Sequence, residues 1–291
     1  MNLSDNEYCL GRGVAGLRPK DGAIDGRYLW RTLEAFADKL RSRGRGTTFL
    51  QVSKADIAEL EIPLPLLEEQ RRIAAILDQA DALRRLRARA LDRLNTLGQS
   101  IFHEMFGNPV SNTMEWPSRT LGQTSIHVSD GNYAEKYPKS SDFVEEGVPF
   151  IRANNIVLGE VDGTDLRFIS DEKHALLKKG HLKIDDVLIT TRGKIGNTAI
   201  VPREFDGANI NAQLVLLRCA GVSLSPIFLM FLLQHPSSQI YFEKVQTGVA
   251  LKQLPVKRLK EMDIIEPPFE LQNLFANRMR SILARISQVL R

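Results

Sequence analysis

The residues of this chain best suited to chemistry are basic and amide side chains placed next to apolar runs. The segment ITTRGKIGN puts Arg192 and Lys194 around glycines, just after an apolar run typical of a strand. A glycine turn of this kind can bring backbone amides close to phosphates, and an arginine can bind guanine through two hydrogen bonds. The pattern predicts a contact to a nucleic acid.

Amide side chains form the second group of candidates. Asn209, Asn211 and Gln213 alternate along a predicted strand, and the amide group matches the donor and acceptor edge of adenine. Other candidates lie in further loops at the ends of predicted strands: Arg152, Asn154, Asn155, Asn132 and Tyr133. For each loop alone, ordinary turn chemistry is the stronger interpretation. The recurrence of polar loops at strand ends favours DNA binding for the set.

One tetrapeptide is similar to a catalytic signature. Glu266-Pro267-Pro268-Phe269 resembles the (Asp/Asn)-Pro-Pro-(Tyr/Phe) sequence with which amino-methyltransferases bind their target amine. Glutamate does not fit the first position, and no glycine-rich turn for a methyl-donor nucleotide precedes it. A helix start is the better interpretation. The RGKIG segment around Gly193 likewise lacks the first glycine and the Ser/Thr of a phosphate-binding loop.

The sequence has no pattern typical of a metal site or of a catalytic nucleophile. The five histidines and two cysteines have no metal-ligand spacing, and Asp171-Glu172-Lys173 lacks the spacing of a metal nuclease. We therefore expect no catalytic residue, no metal site and no cofactor.

Composition bounds the class of protein. With 291 residues, 43% hydrophobic and 25% charged, the chain is long enough for about two globular units. Its longest apolar run, Ile227 to Leu233, is far shorter than the roughly 18 residues that a bilayer requires. No secretory signal is readable at the start of the chain. We expect a cytoplasmic protein that does not enter a membrane.

Two helices with heptad spacing should position the globular part. Apolar residues recur three and four apart between Glu68 and Met105, which predicts one helix of about 57 Å. A second heptad pattern begins at Glu270. We predict that the two helices pack antiparallel as a coiled coil, with Leu94 in the seam. The basic stripe from Arg71 to Arg93 fits a solvated face with intrahelical ion pairs as well as a face turned to a polyanion.

Residues 109–266 have the pattern of a mixed α/β globule. Apolar runs such as VPFIRA, DVLITTR and AQLVLLR are bounded by Gly, Asn and Asp. One helix is predicted from Pro226 to Lys244, with Ser225 as its N-cap. The predicted fold class is therefore α+β, a globular α/β domain with long antiparallel coiled-coil helices.

The two halves of the chain repeat each other. A shift of 202 residues pairs Gly46, Gln51, Glu59, Ile62, Pro65, Glu68 and Gln70 with Gly248, Gln253, Glu261, Ile264, Pro267, Glu270 and Gln272. Upstream, a shift of 200 pairs Tyr28-Leu29 with Phe228-Leu229. We interpret the chain as a duplication in which residues 1–62 match only the last third of the globule at 109–266.

These segments resemble a known family. The stretch from IPLPLLEEQRRIAAILDQ to IFHEMFGNP is similar to the central region of the DNA-specificity subunit of type I restriction-modification systems. ITTRGKIGN and NINAQLVLLR resemble the target recognition domain that follows it, and CLGRGVAGLRP with RGTTFLQVSKADIAEL resembles the end of the first such domain. On this basis residues 1–62 are the distal part of a truncated first domain, 63–108 the spacer helix, 109–266 a complete domain and 267–291 a short second helix.

The resemblance implies a non-catalytic subunit that reads a split DNA sequence. The long helices would fix the gap between half-sites and dock methyltransferase (M) subunits, to which restriction/translocase (R) subunits add. A chain with a shortened first domain would also be able to self-associate as a pair of half-subunits. The open alternative is a coiled-coil scaffold that binds protein without DNA specificity. The DNA target sequence does not follow from these residues.

Overall fold

The computed structural model describes residues 3–289, except positions 5, 8, 12, 21, 46–50, 134–136, 158, 222 and 250. Within its helices, the side chains of residues 91, 92, 94, 95 and 283–289 also lie outside the described part. The mixture of helix and sheet agrees with the predicted α+β class. The chain divides into two compact units, Met1–Ala88 and Arg89–Arg291.

Nine α-helices lie in the described residues. They are α1 (Gly26–Ala35), α2 (Ala37–Ser42), α3 (Lys54–Ala58), α4 (Leu67–Phe106), α5 (Asp171–Leu176), α6 (Pro226–Gln234), α7 (Pro236–Val245), α8 (Val256–Lys260) and α9 (Phe269–Val289). The boundary between the two units falls inside α4. Within the same described part, no helix combines the length and apolarity needed to cross a bilayer.

Twelve strands of the described residues belong to the second unit. They are β1 (Ser118–Thr120), β2 (His127–Asp130), β3 (Phe143–Val144), β4 (Val148–Ile151), β5 (Ile156–Val157), β6 (Glu160–Val161), β7 (Arg167–Ile169), β8 (Val187–Thr190), β9 (Thr198–Ile200), β10 (Asn209–Ile210), β11 (Leu214–Arg218) and β12 (Asp263–Ile265). Two four-stranded sheets have the orders β2-β11-β8-β9 and β10-β4-β7-β3. Two-stranded pairs β1-β12 and β5-β6 complete the set.

The first unit is a small helical cluster. Its core contains Leu33, Leu40 and Leu60. Asp25 caps α1 by accepting hydrogen bonds from the backbone amides of Arg27 and Tyr28. The first turns of α4 in this unit carry acidic residues, which the helix dipole favours at that end.

Ion pairs take up part of the basic stripe predicted for α4. Arg84 and Arg85 pair with Asp81 at 2.9 and 2.8 Å, and Arg72 pairs with Glu69 at 3.3 Å. Arg31 of α1 reaches Asp78 at 2.8 Å. The pairs within α4 fit the solvated, intrahelically paired face for this half of the stripe, and Arg31 adds a pair between two helices.

The core of the second unit contains an aromatic cluster where helices meet the sheet. Phe102 and Phe106 of α4 lie 5.6 Å from Phe275 of α9, between ring centroids. A Cβ added to Gly98 would approach Met279 to 3.1 Å. An earlier residue of α4 thus meets a later residue of α9, which is the order of antiparallel packing. The coiled coil beyond this contact stays a prediction, because the side chain of Leu94 lies outside the described residues.

The repeat predicted from the sequence has a structural counterpart in each unit. Gln70 accepts from the amide of Asp25 at 2.9 Å and donates to the carbonyls of Ala23 and Pro65 at 3.2 and 2.8 Å. Gln272 makes the same three bonds, from Ser225 at 3.0 Å and to Ser223 and Pro267 at 3.2 and 2.8 Å. The partners are displaced by the predicted 200 and 202 residues, including the gap between them.

Three local predictions differ from the structure. The helix predicted from Pro226 to Lys244 is broken at His235, because Pro236 has no amide hydrogen to continue it. Ser225 occupies the N-cap position of α6 without a side-chain capping bond. Asn211 and Gln213 do not lie on one strand with Asn209, since β10 ends at Ile210 and a turn follows.

Candidate nucleic-acid interface

Polar loops of the second unit meet at one edge because the strand registers bring their ends together. Antiparallel pairing puts the end of β2, at Asp130, opposite Val215 near the start of β11, and the end of β8, at Thr190, opposite Leu214. The parallel pair β4 and β10 ends at Ile151 and Ile210, which are register partners. The four loops that follow or precede these ends are residues 131–133, 152–155, 191–196 and 211–213, and we call them the strand-end edge.

Hydrogen bonds from buried Thr190 fix the turn after β8. The hydroxyl of Thr190 donates to the carbonyl of Lys194 at 2.5 Å and accepts from the amide of Asn197 at 3.0 Å. Gly193 has a φ of +76°, a conformation that favours glycine. The backbone of the turn is therefore fixed, while the side chains of Arg192 and Lys194 are exposed.

Tyr133 orients the arginine of that turn. The guanidinium carbon of Arg192 lies 5.4 Å from the centroid of the Tyr133 ring, and the ammonium of Lys179 lies 5.0 Å from it. Lys179 also pairs with Asp130. A cation over a tyrosine face is attracted by the ring quadrupole, which restricts Arg192 before any ligand binds.

The Tyr133 hydroxyl stays protonated at neutral pH. Burial, and after it the charge of Asp130, raises the pKa of Tyr133 above its ordinary value of 10.0. The neutral hydroxyl donates to the carbonyl of Ala212, at 3.3 Å. This bond ties the loop after β2 to the turn before β11.

The turn before β11 exposes Gln213. The amide of Thr191 donates to the carbonyl of Gln213 at 2.8 Å, so this turn is fastened to the Arg192 turn. The side-chain amide of Asn211 donates to the Gln213 side-chain oxygen at 3.0 Å, and the Asn211 oxygen accepts from the Gln213 backbone amide at 3.1 Å. Asn211 is buried and Gln213 is exposed. Asn211 therefore holds the turn, and Gln213 faces solvent.

Three other candidate amides are also buried, two in the loops and one, Asn209, in β10. Asn132 donates to the carbonyl of Lys179 at 2.6 Å, and Asn209 donates to the same carbonyl at 3.2 Å. Asn155 donates to the carbonyls of Asp162 and Asp165. The side-chain amides of these three residues already donate to backbone carbonyls. In this conformation they therefore stabilise the backbone instead of facing a ligand. Asn155 bonds to nearby residues of the chain, as turn chemistry predicts. Asn132 and Asn209 instead bond to a distant carbonyl, so their bonds are tertiary contacts.

The loop after β4 carries a local ion pair. Arg152 donates to the side chain of Asp165 at 2.8 Å and to its backbone carbonyl at 2.7 Å. Exposed Asn154 donates to the same carboxylate at 3.2 Å. A ligand would have to compete with Asp165 for both side chains, so they are weaker candidates than Arg192, Lys194 and Gln213.

A hairpin missed by the search for binding residues lies beside the Arg192 turn. The Thr247–Gln253 hairpin is closed by two backbone bonds, at 2.8 and 2.9 Å. Gln253 forms a β-bridge with Arg192, and the amide of Leu254 donates to the carbonyl of Thr191 at 2.8 Å. Its sequence has one glycine and one lysine near the tip, so composition alone gave no signal. Lys179 was missed as well, because the Lys178-Lys179 pair alone is typical of any exposed surface.

The Glu266-Pro267-Pro268-Phe269 tetrapeptide has a structural role. The Glu266 carboxylate pairs with Arg119 at 2.7 Å, and the carbonyl of Pro267 accepts from buried Gln272 at 2.8 Å. Helix α9 begins at Phe269. The helix-start interpretation is confirmed.

Two pairs of histidines lie outside these loops. His103 and His235 approach to 3.4 Å, and His174 and His181 to 3.2 Å, between ring nitrogens. Burial raises the pKa of the Cys219 thiol to about 12. Across the described ranges, no group of three or more His, Cys, Asp or Glu side chains could hold a metal ion.

The sequence is similar to that of known proteins. Residues 1–96 and 129–289 match the family model described as the type I restriction modification DNA specificity domain. The chain is 25% identical to the type I restriction enzyme MjaVIII specificity subunit of Methanocaldococcus jannaschii, over 94% of this chain and 67% of the relative. It is also 25% identical to the EcoBI specificity subunit of Escherichia coli, over 94% and 62%.

A solved structure shows the same fold. It comes from a study of complex assembly and conformational transition of the type I R-M system, with a TM-score of 0.52 and 24% identity, over 94% of this chain and 67% of that one. The chain thus spans about two thirds of the length of these relatives. Because the family model covers most of the sequence, the chain belongs to the family of type I restriction modification DNA specificity domains.

Proposed function

We propose that this chain is a sequence-specific DNA-binding specificity subunit of a type I restriction-modification complex, and that the strand-end edge reads the DNA. The observation that carries the proposal is the convergence of polar loops where the ends of β2, β4, β8 and β10 meet the start of β11. Phosphate contacts orient a protein on DNA, and base contacts give specificity. Both types of donor are exposed at this edge.

Three exposed side chains carry the recognition. Arg192, oriented by Tyr133, is suited to two hydrogen bonds with a guanine. Gln213 is suited to the edge of an adenine, because its side-chain oxygen has a second lone pair besides the one that accepts from Asn211. Lys194 lies two residues from Arg192 and is suited to a phosphate. The buried amides of the loops fix the backbone that presents these groups.

We further propose that the chemistry of the complex belongs to other subunits. Methyltransferase (M) subunits would dock on the helical region, and restriction/translocase (R) subunits would join through them. The relatives are named as specificity subunits, which supports this division of labour. A cytoplasmic location and self-association as a pair of half-subunits stay predictions of the same proposal.

The DNA-binding part is tested by salt dependence. The full chain is titrated with a fluorescent duplex at several salt concentrations, and log K is expected to fall linearly with log salt. The variant R192A/K194A should lose about 5- to 150-fold in affinity if Arg192 contacts a base edge. Each lost phosphate contact should reduce the slope by about 0.9.

A matched control is available on β8 and β9, the strands that flank Arg192 and Lys194, at their opposite ends. Lys183 precedes β8 and Arg203 follows β9, and both are exposed, so K183A/R203A removes the same charge away from the edge. This control should bind as the parent does. Equal affinity and equal slope for R192A/K194A and the parent would contradict the proposal, and binding independent of salt would favour a protein scaffold.

The division of labour needs a second measurement. The purified chain with DNA and a radiolabelled methyl donor should transfer no methyl group, and it should co-purify with a cognate methyltransferase subunit at micromolar concentration. Methyl transfer by the isolated chain would overturn the non-catalytic assignment. No complex at that concentration would overturn the docking assignment.

A further inference from the structure

The tip of the Thr247–Gln253 hairpin exposes nearly all of two apolar side chains. Val249 is 100% exposed and Leu251 is 86% exposed, more than any other large hydrophobic residue that the structure describes. Gly248 has a φ of +91°, and a Cβ at this position would lie 2.3 Å from the carbonyl oxygen of Leu251. The turn is therefore specified by a glycine and holds both side chains away from the core.

The hairpin is anchored to the strand-end edge. Leu254, directly after it, is buried and donates its backbone amide to the carbonyl of Thr191 at 2.8 Å. Gln253 bridges to Arg192. The apolar tip therefore extends from the segment that carries the two candidate cations of the edge.

The charges around the tip are mostly positive. Lys252 on the hairpin and Arg192 and Lys194 on the adjacent turn are exposed. One carboxylate, Glu243, lines the groove between the turn and α7, together with Gln246. A ligand that meets this surface must therefore be anionic and must offer an apolar space for one or two side chains.

Stacked base pairs in a duplex satisfy both conditions. Proteins that bend DNA insert apolar side chains such as leucine between base steps while cations hold the flanking phosphates. A protein partner fits less well, because a stable interface has an apolar core of several residues and excludes charge from it. Here two apolar side chains are flanked by cations.

We propose that Val249 and Leu251 form a wedge that enters a base step of the duplex bound at the strand-end edge. The proposal rests on the DNA-binding function and adds a deformation of the DNA to it. By sequence, the shift of 202 residues pairs Leu251 with Phe49, so the matching segment of the first copy also carries a large apolar residue. Residues 46–50 lie outside the described part of the chain.

The wedge predicts a preference for duplexes that are already weakened. An abasic site lowers the cost of unstacking, so the full chain should bind a 30-base-pair duplex with one abasic site about 5-fold or more tightly than the intact duplex. V249S/L251S should lose this preference and bind the intact duplex about 10-fold more weakly. Its salt slope should equal that of the parent, because no phosphate contact is removed.

Controls separate the wedge from folding and from general hydrophobicity. Both substitutions are at exposed positions, so the melting temperature should not change, and V249A alone provides a milder second variant. L176S/I184S removes two exposed apolar side chains on other segments and should bind both duplexes as the parent does.

Each outcome distinguishes the two proposals. If V249S/L251S binds both duplexes as the parent does, the wedge is refuted and the DNA-binding function stands. If only capture of a methyltransferase subunit is lost, the tip docks a protein, and the wedge is likewise refuted. A parent chain that binds neither duplex would refute the DNA-binding function itself.

Discussion

Replacing Gln272 by alanine tests whether the duplicated glutamine is a structural anchor. Its side chain is fully buried and accepts from the amide of Ser225 while donating to the carbonyls of Ser223 and Pro267. One side chain thus joins the start of α6, the preceding loop and the proline segment before α9. Truncation removes all three bonds at once.

The expected loss follows from which partners remain buried. The amide of Ser225 and the carbonyl of Pro267 have buried hydrogen bonds with Gln272, whereas Ser223 is exposed, and its carbonyl can bind water instead. Each unsatisfied buried group costs about 1 to 3 kcal/mol. With the cavity left by the side chain, the free energy of unfolding should fall by about 3 to 5 kcal/mol. For a unit of this size that corresponds to a melting temperature lower by roughly 10 °C.

Urea denaturation and hydrogen exchange would measure this loss. Q272A should speed exchange in α6 and α9, and Q70A should do so in α1 and the start of α4, by a smaller factor because its partners are less buried. Asn277, exposed on α9, provides the matched control, and N277A should stay within about 0.5 kcal/mol of the parent. If Q272A melts like N277A, the anchor has been misread.

Three further predictions concern the second unit. R218M leaves the buried carboxylate of Asp186 without its two bonds of 2.7 Å and should cost about 3 to 5 kcal/mol in urea denaturation; a loss below 1 kcal/mol would contradict it. Burial, and then His103, lowers the pKa of His235 below its usual 6.5, so the unfolded chain takes up a proton first and stability is lost as pH falls below about 6.5. H235N, which can still cap α7, should flatten that part of the stability-pH curve. G131A puts a Cβ 2.3 Å from the carbonyl oxygen of Asn211 and should lower the melting temperature, whereas G163A, with its nearest atom at 3.5 Å, should not.

The duplication could be predicted from the sequence because matching side chains occur at the same spacing in both copies. Gln70 and Gln272 each bond to backbone groups at fixed distances along the chain, so a sequence shift alone locates both the anchor and the gap. The heptad spacing predicted the helix as Glu68 to Met105, within one residue of the bounds Leu67–Phe106. Local patterns of this kind require no knowledge of the tertiary fold.

The division of labour among the polar loops was not readable. Asn209 and Gln213 both carry a side-chain amide. Asn209 is buried and donates to the carbonyl of Lys179, whereas Gln213 is exposed. That difference arises from the crossing of β10 into the turn before β11, which depends on strand pairing and not on residue type. The hairpin tip was missed because exposure of Val249 and Leu251 follows from the glycine turn, whereas their types predict burial.

Selection from randomised DNA tests sequence reading at the strand-end edge most directly. The full chain should enrich one duplex motif at physiological salt, and the K183A/R203A control should recover the same motif. R192A should relax one guanine position, and Q213A one adenine position. A pool that shows no enrichment, or an unchanged motif with R192A and Q213A, would contradict DNA reading by these residues.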